Sequence, residues 1–288
     1  MIPAKFDYRK ADTLEKAVQL LQEYGDEAKI ISGGHSLVPI LKSRLAQPGM
    51  LIDISRILSL SKIIEEEQVF TIGALTTHHQ IESSPKIRNL CPLLAEVAAQ
   101  IGDVQVRNRG TIGGSISHAD PAADYPAALL ALDAKFVITG TGGVRSIRAE
   151  NFFEGPFETA LRENEILTSV HIPIPTHGTG GIYCKAAQQA SGFAVCGVAA
   201  LVELGNKGLV LNARVGITGV AEVAYRATSV EEAVAGSAPS AENLEAASIH
   251  AADNITPLED LYATPDFRRH LAQVWTMRAL DRAARRAG

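Results

Sequence analysis

Three cysteines in 288 residues, Cys91, Cys184 and Cys196, are too few and too widely spaced for an iron–sulfur ligand set, a C-x-x-C redox pair or a disulfide framework. They are expected as buried, reduced thiols. No apolar run is long enough to cross a bilayer, and Met1-Ile2-Pro3-Ala4-Lys5 lacks the charged start and apolar stretch of a signal peptide. The expected compartment is the cytoplasm, with a peripheral position at the inner membrane face left open. Excess positive charge is also missing. The 27 basic and 32 acidic residues leave a net charge of −5, so a surface that neutralises phosphate backbones, and with it a nucleic-acid partner, is not expected. No histidine pair has H-E-x-x-H spacing, and His78 and His79 are adjacent, so no metal site is expected. Gly-x-Gly-x-x-Gly is absent, since Gly140-Thr141-Gly142-Gly143-Val144-Arg145 fails at its sixth position, which leaves a Rossmann NAD site without support.

What remains is a composition of 46% hydrophobic and 20% charged residues, that of an ordinary globular protein of about two domains. Asp12-Thr13-Leu14-Glu15 reads as a helix N-terminus with Asp12 as the cap, and Gly25 ends the helix. Ala28 to Ser32 and Met50 to Ile54 read as strands flanking a helix from Leu37 to Leu45, so residues 1–55 form a first α/β unit. A strand over Val69 to Gly73, helices over Thr77 to Glu82 and Pro92 to Ile101, a hairpin around Gly140-Thr141-Gly142-Gly143 and a strand over Ile166 to Ile172 make a second, 56–176. Between them, Arg107 to Asp124 is too rich in glycine and polar groups for a core element and reads as a structured loop. Pro173 to Gly181, with two prolines and three glycines, marks the boundary to a region 177–288 of long β runs (Phe193 to Leu204, Leu209 to Thr218) followed by helices.

Ser32-Gly33-Gly34-His35-Ser36 joins a strand to a helix, where backbone N–H groups can face a phosphate, although a plain strand-to-helix turn would read the same. Thr111-Ile112-Gly113-Gly114-Ser115 repeats the pattern of paired glycines between hydroxyls. Two such loops suit a long diphosphate ligand held between subdomains better than one does. Asp120 and Asp124 could form a carboxylate pair or serve as turn residues, and Arg107 and Arg109 would share a face of a strand.

Carried by Ser32-Gly33-Gly34-His35-Ser36-Leu37 and by Arg107 through Ser115 leading to Ala119-Asp120-Pro121-Ala122-Ala123-Asp124, the chain resembles, nearly end to end, the FAD-binding medium subunit of molybdenum hydroxylases of the aerobic carbon monoxide dehydrogenase and xanthine dehydrogenase type. The resemblance implies an α+β protein: a two-subdomain FAD-binding domain of the vanillyl-alcohol-oxidase and murein-reductase type over 1–176, then a smaller domain with an antiparallel sheet and helices over 177–288. It implies that Ser32 to Leu37 and Thr111 to Ser115 hold the pyrophosphate, that Asp124 serves the ribose end, and that Leu167 lies by the adenine. Lys185, Ile101 and Phe193 are then flavin neighbours, with Phe193 against the isoalloxazine. The resemblance further implies non-covalent FAD, a small partner subunit carrying two [2Fe-2S] clusters, and a large one carrying the molybdenum cofactor, assembled as a dimer of heterotrimers. Because the molybdenum subunit meets the substrate, the substrate is not specified here. A self-contained FAD oxidase or reductase and a non-redox nucleotide-binding scaffold are the alternatives.

Overall fold

A computed structural model describes residues 1–288. Three short strands, β1 (Asp7–Lys10), β2 (Ala28–Ile31) and β3 (Met50–Asp53), form a parallel sheet in the order β1-β3-β2. The connections are α1 (Leu14–Tyr24) and α2 (Leu37–Ser43). Helix α1 buries Ala17, Leu20 and Leu21 in a small core with Met50, Ile52 and Ile166. Its cap is Thr13, not Asp12. Thr13 has the extended backbone of an N-cap (φ −133°), from which its hydroxyl accepts the Lys16 amide at 3.2 Å, and Asp12 falls one residue outside the helix.

The second sheet is antiparallel throughout. It runs β4 (Ile63–Glu66), β5 (Val69–Gly73), then, much later in the chain, β6 (Lys135–Gly140) and β7 (Gly143–Arg148). A two-stranded ribbon, β8 (Phe153–Gly155) with β9 (Glu158–Thr159), precedes β10 (Glu165–Pro173), which inserts centrally to give β4-β5-β10-β6-β7. Between β5 and β6 lie α3 (His78–Ser83), α4 (Pro85–Leu90), α5 (Pro92–Ala99), α6 (Val104–Arg107), α7 (Ile112–His118) and α8 (Tyr125–Ala131). They share a core with the sheet through Phe70, Leu94, Ile112, Tyr125, Phe136 and Val170. The segment expected as a loop from Arg107 to Asp124 therefore contains the end of α6 and all of α7, and Arg107 and Arg109 are not on a strand. Thr111 caps α7, its hydroxyl accepting the Gly114 amide at 3.1 Å. A Cβ on Gly113 would lie 2.5 Å from the Ala74 Cβ, so the glycine there reports close packing rather than looseness.

The third sheet is a meander of β11 (Thr179–Ala187), β12 (Ala194–Leu204), β13 (Val210–Thr218) and β14 (Tyr225–Arg226). Helices α9 (Thr228–Val234), α10 (Ala241–Ser248) and α11 (Pro265–Ala287) share its apolar core. β11 begins inside the glycine-rich stretch read as the boundary. Its small residues let α11 approach: a Cβ on Gly180 would stand 2.0 Å from the Ala283 carbonyl oxygen. The arginines of α11 do not form a free basic patch. Arg268 is buried and donates to Val195 O at 2.8 Å and also to Gly219 O and Asp260, while Arg286 binds Glu96 at 2.6 Å and Gly181 O at 2.8 Å.

Gly180→Ala is expected to cost about 1–3 kcal/mol, because its neighbour is helix backbone that cannot step aside. Gly142→Ala, in open space at the β6–β7 turn, is expected to stay within about 0.5 kcal/mol. Urea denaturation of the two variants checks this, and equal losses would refute the close approach of α11 to β11.

Candidate functional site

The two glycine loops meet face to face. A Cβ on Gly33 would stand 2.2 Å from the Arg109 carbonyl oxygen and 2.9 Å from Gly110 Cα, and Ser32 Oγ lies 3.1 Å from Thr111 Oγ1. Gly34 has φ +77°, a left-handed turn that lifts the chain off β2 into α2. Despite their similar sequences, the loops are used differently. The amides of Gly33, Gly34, His35 and Ser36 find no acceptor within the protein, and Ser36 gives no side-chain cap to α2. In the second loop the amides are taken: Ile112 donates to Thr76 O, Gly113 to Ala74 O, Gly114 to Thr111 Oγ1 and Ser115 to Thr111 O. The expectation that both loops offer N–H donors is therefore corrected. The first supplies amides, the second hydroxyls and a gap. That gap is at Gly114, where an added Cβ would meet only Thr111 Oγ1 at 2.8 Å and Ser32 Oγ at 3.1 Å. A row of free amides beside two hydroxyls suits a diphosphate.

Asp124 and Lys185 form a buried ion pair. Lys185 Nζ is 3.0 Å from Asp124 Oδ1, and the Tyr183 hydroxyl donates to the same oxygen at 2.6 Å. Lys185 also donates to the carbonyls of Gln100 and Gly192, both at 2.8 Å. Burial pushes the Asp124 carboxyl above the usual carboxylate range, opposed by the Lys185 charge and the Tyr183 hydrogen bond. Asp120 is no partner in acid–base work: its Oδ1 accepts the Ala122 amide at 2.9 Å, as a turn residue.

Two other expected residues, Ile101 and Phe193, adjoin this pair through their neighbours Gln100 and Gly192. Ile101 is half-buried against the core next to Gln100, and its carbonyl accepts from Arg107, whose guanidinium also binds Glu82 at 2.9 Å. Phe193 is 46% exposed and closes the turn before β12, beside Gly192, so its ring is free of the core. Leu167 sits at the bulge of β10. Its side chain is 3% exposed within the apolar core, so only its backbone, at the β10 bulge, could face a ligand. Leu37 opens α2, and His35 is an exposed loop residue.

Sequence reasoning missed Tyr183, His78 and Tyr125. His78 is buried against the second loop: its amide donates to Gly110 O at 3.0 Å, and its Nδ1 is 3.2 Å from the Tyr125 hydroxyl. Burial, together with the nearby charges of His35 and Arg107, pushes its imidazole down to about 4. A signal existed for Tyr183 alone, two residues before Lys185 and so on the same face of a strand.

With His78 neutral in the folded chain and ordinary when unfolded, the unfolded state binds the extra proton between about pH 6.5 and pH 4. The stability it protects is present above about pH 6.5 and lost as pH falls toward 4, on the order of 3 kcal/mol in full. His78→Gln is expected to flatten the decline of stability with acid by about one proton. Chemical denaturation across that range measures it, and an unchanged slope would refute the assignment.

Residues 4–175 match the family described as FAD binding domain in molybdopterin dehydrogenase, and residues 181–283 match CO dehydrogenase flavoprotein C-terminal domain. The chain is 40% identical to the carbon monoxide dehydrogenase medium chain of Hydrogenophaga pseudoflava, over 98% of each chain. It is 36% identical to the 6-hydroxypseudooxynicotine dehydrogenase complex subunit alpha of Paenarthrobacter nicotinovorans, over 100% of this chain and 97% of that one. The solved structure of carbon monoxide dehydrogenase from H. pseudoflava lacking the Mo-pyranopterin moiety superposes with a TM-score of 0.96 at 41% identity, over 99% of both chains. No helix is long and apolar enough to cross a membrane, and no cluster of three His, Cys, Asp or Glu is placed to hold a metal ion. Free amides, hydroxyls and a buried, paired carboxylate are thus set in the frame of a known flavoprotein fold, and the chain belongs to the family of FAD-binding medium subunits of molybdopterin dehydrogenases such as carbon monoxide dehydrogenase and xanthine dehydrogenase.

Proposed function

We propose that the chain holds FAD non-covalently and serves as the electron-transfer subunit of a molybdenum hydroxylase, taking electrons from [2Fe-2S] clusters of a small partner and passing them to an external acceptor. The substrate-oxidising molybdenum centre then sits on a large partner, the whole a cytoplasmic dimer of heterotrimers. The observation that carries the reading is the row of four unpartnered amides, Gly33 to Ser36, opposite the Ser32 and Thr111 hydroxyls. Bound FAD supplies the redox chemistry, and the protein supplies binding and orientation.

In this reading the amides of the first loop and the hydroxyls of Ser32, Thr111 and Ser115 hold the pyrophosphate. Gly114 leaves the space for close approach. Asp124 accepts from a ligand hydroxyl, Lys185 stands behind it, Ile101 and Phe193 border the flavin, and the backbone at Leu167 borders the adenine. We place the division of the chain at residue 176, with the FAD-binding part split near residue 55. The diverse substrates named for the relatives fit a flavin module that does not itself meet the substrate. No nucleophile–base pair for a self-contained reaction is present among the site residues described above.

Gly114→Val is expected to weaken FAD binding at least tenfold, by filling the space between the two hydroxyls, while costing about 1–2 kcal/mol of stability as its Cβ presses on the Thr111 cap. Titrating the apo chain with FAD and recording its Tm separates the two, and parallel losses would point to a merely structural glycine. For the relay itself, the flavin in the chain co-assembled with its iron–sulfur and molybdenum partners is expected to be reduced by the complex's substrate in stopped flow, and the flavin in the isolated chain not. Equal rates would replace the relay with a self-contained flavoenzyme. Acid precipitation of the holoprotein should release all the yellow colour.

A further inference from the structure

We infer that Tyr183 is a positioning residue of the cofactor site: its hydroxyl, with Lys185, fixes Asp124 by Oδ1 alone and leaves Oδ2 to accept a sugar hydroxyl of the bound ligand. The inference rests on the FAD reading above and adds to it a residue and a pH dependence.

Four observations converge on it. Tyr183 donates to Oδ1 at 2.6 Å and the nearest approach of Lys185 Nζ, 3.0 Å, is to the same oxygen, whereas two groups serving only to neutralise a buried carboxylate are free to divide between its oxygens. Oδ2 receives no donor from the protein, and it is not sealed in, since the only buried side-chain polar atoms without a partner are Thr76 Oγ1, Arg268 Nε and Thr276 Oγ1. Asp124 precedes α8 but gives it no side-chain cap, so its carboxylate is not spent on the helix. The neighbouring strand is also shaped for the phenol. Gly197 pairs with Lys185 across β11 and β12, and a Cβ there would lie 2.2 Å from the Tyr183 hydroxyl and 2.9 Å from Thr218 Cγ2. A side chain at 197 would push the hydroxyl off Asp124.

The hydrogen bond also bears on when Asp124 is ionised. Burial raises its pKa, and Lys185 and Tyr183 work against that rise. The other groups around it are Tyr125 on its own helix, Cys184 on β11, Cys196 on β12, and His78 on α3 behind Tyr125. Tyr125 and Tyr183 are pushed well above their ordinary values by burial, Cys184 is raised, Cys196 is pushed to about 12 and His78 down to about 4. Lys185 is the one cation among them. Without the Tyr183 hydroxyl, Asp124 protonates at higher pH and Oδ2 ceases to be a full acceptor sooner.

The test is titration of the full apo chain with FAD, read by flavin fluorescence from about pH 5 to 8, for wild type, Tyr183→Phe, Asp124→Asn and the double variant. Tyr183→Phe is expected to weaken FAD about tenfold at neutral pH, to shift the acid limb of the affinity upward, and to leave the Tm of the apo chain within a few degrees. In the Asp124→Asn background the same change is expected to add nothing, because its only route to the ligand is gone. Wild-type affinity with an unmoved acid limb in Tyr183→Phe overturns the inference while leaving FAD binding intact. So does an equal further loss in the Asp124→Asn background. No FAD binding by the wild type overturns the functional reading and this inference with it.

Discussion

Burying Asp124 and Lys185 together is the constraint on which the rest of the site depends. Two charges taken out of water cost several kcal/mol each unless every donor is met. Here Lys185 Nζ donates to the carbonyls of Gln100 and Gly192 and pairs with Asp124 Oδ1 at 3.0 Å. Those acceptors come from the start of α8, the end of α5 and the turn after β11. One ammonium group thus ties the helices of the FAD-binding half to the C-terminal sheet. The two halves also share apolar core, with Tyr183, Ala199 and Leu201 of the third sheet in the same cluster as Leu93 and Leu94 of α5.

The seam between the glycine loops works by division of labour. Two stretches of nearly the same composition end up with opposite roles because their neighbours differ. The second loop is pinned against Ala74 and Thr76, and its amides close those contacts. The first leans on the carbonyl of Arg109 through Gly33 and turns its amides outward. What looks like a repeated motif is one rigid wall and one open cradle, joined by the Ser32–Thr111 contact.

Local patterns in the sequence revealed much of this. The β6–β7 hairpin, the long strands β12 and β13, helix α11 and the two glycine loops all carry their own signals in alternation, caps or composition. The misreadings share a cause. Gly180 and Gly181 read as part of a boundary stretch and Gly113 and Gly114 as loop, because glycine marks both flexibility and close approach, and only the neighbour decides which. Thr13 displaced Asp12 as a cap by a single residue of backbone geometry. The pairing of Asp124 with Lys185 and Tyr183 is long-range and leaves no periodic trace, and so the resemblance to a flavoprotein family located these residues without revealing that they touch.

The placement of the seam also sets an order of assembly. A chain made from its N-terminus has the amides of Gly33 to Ser36 early, but the carbonyl of Arg109 against which Gly33 rests comes far later, and Tyr183 and Lys185 later still. The first α/β unit can fold as synthesis proceeds. The pocket cannot, because its walls come from segments that meet only after the third sheet has begun to form. In the FAD reading proposed above, a chain stopped before β11 has the glycine cradle and its Thr111 wall but leaves Asp124 without Tyr183 and Lys185.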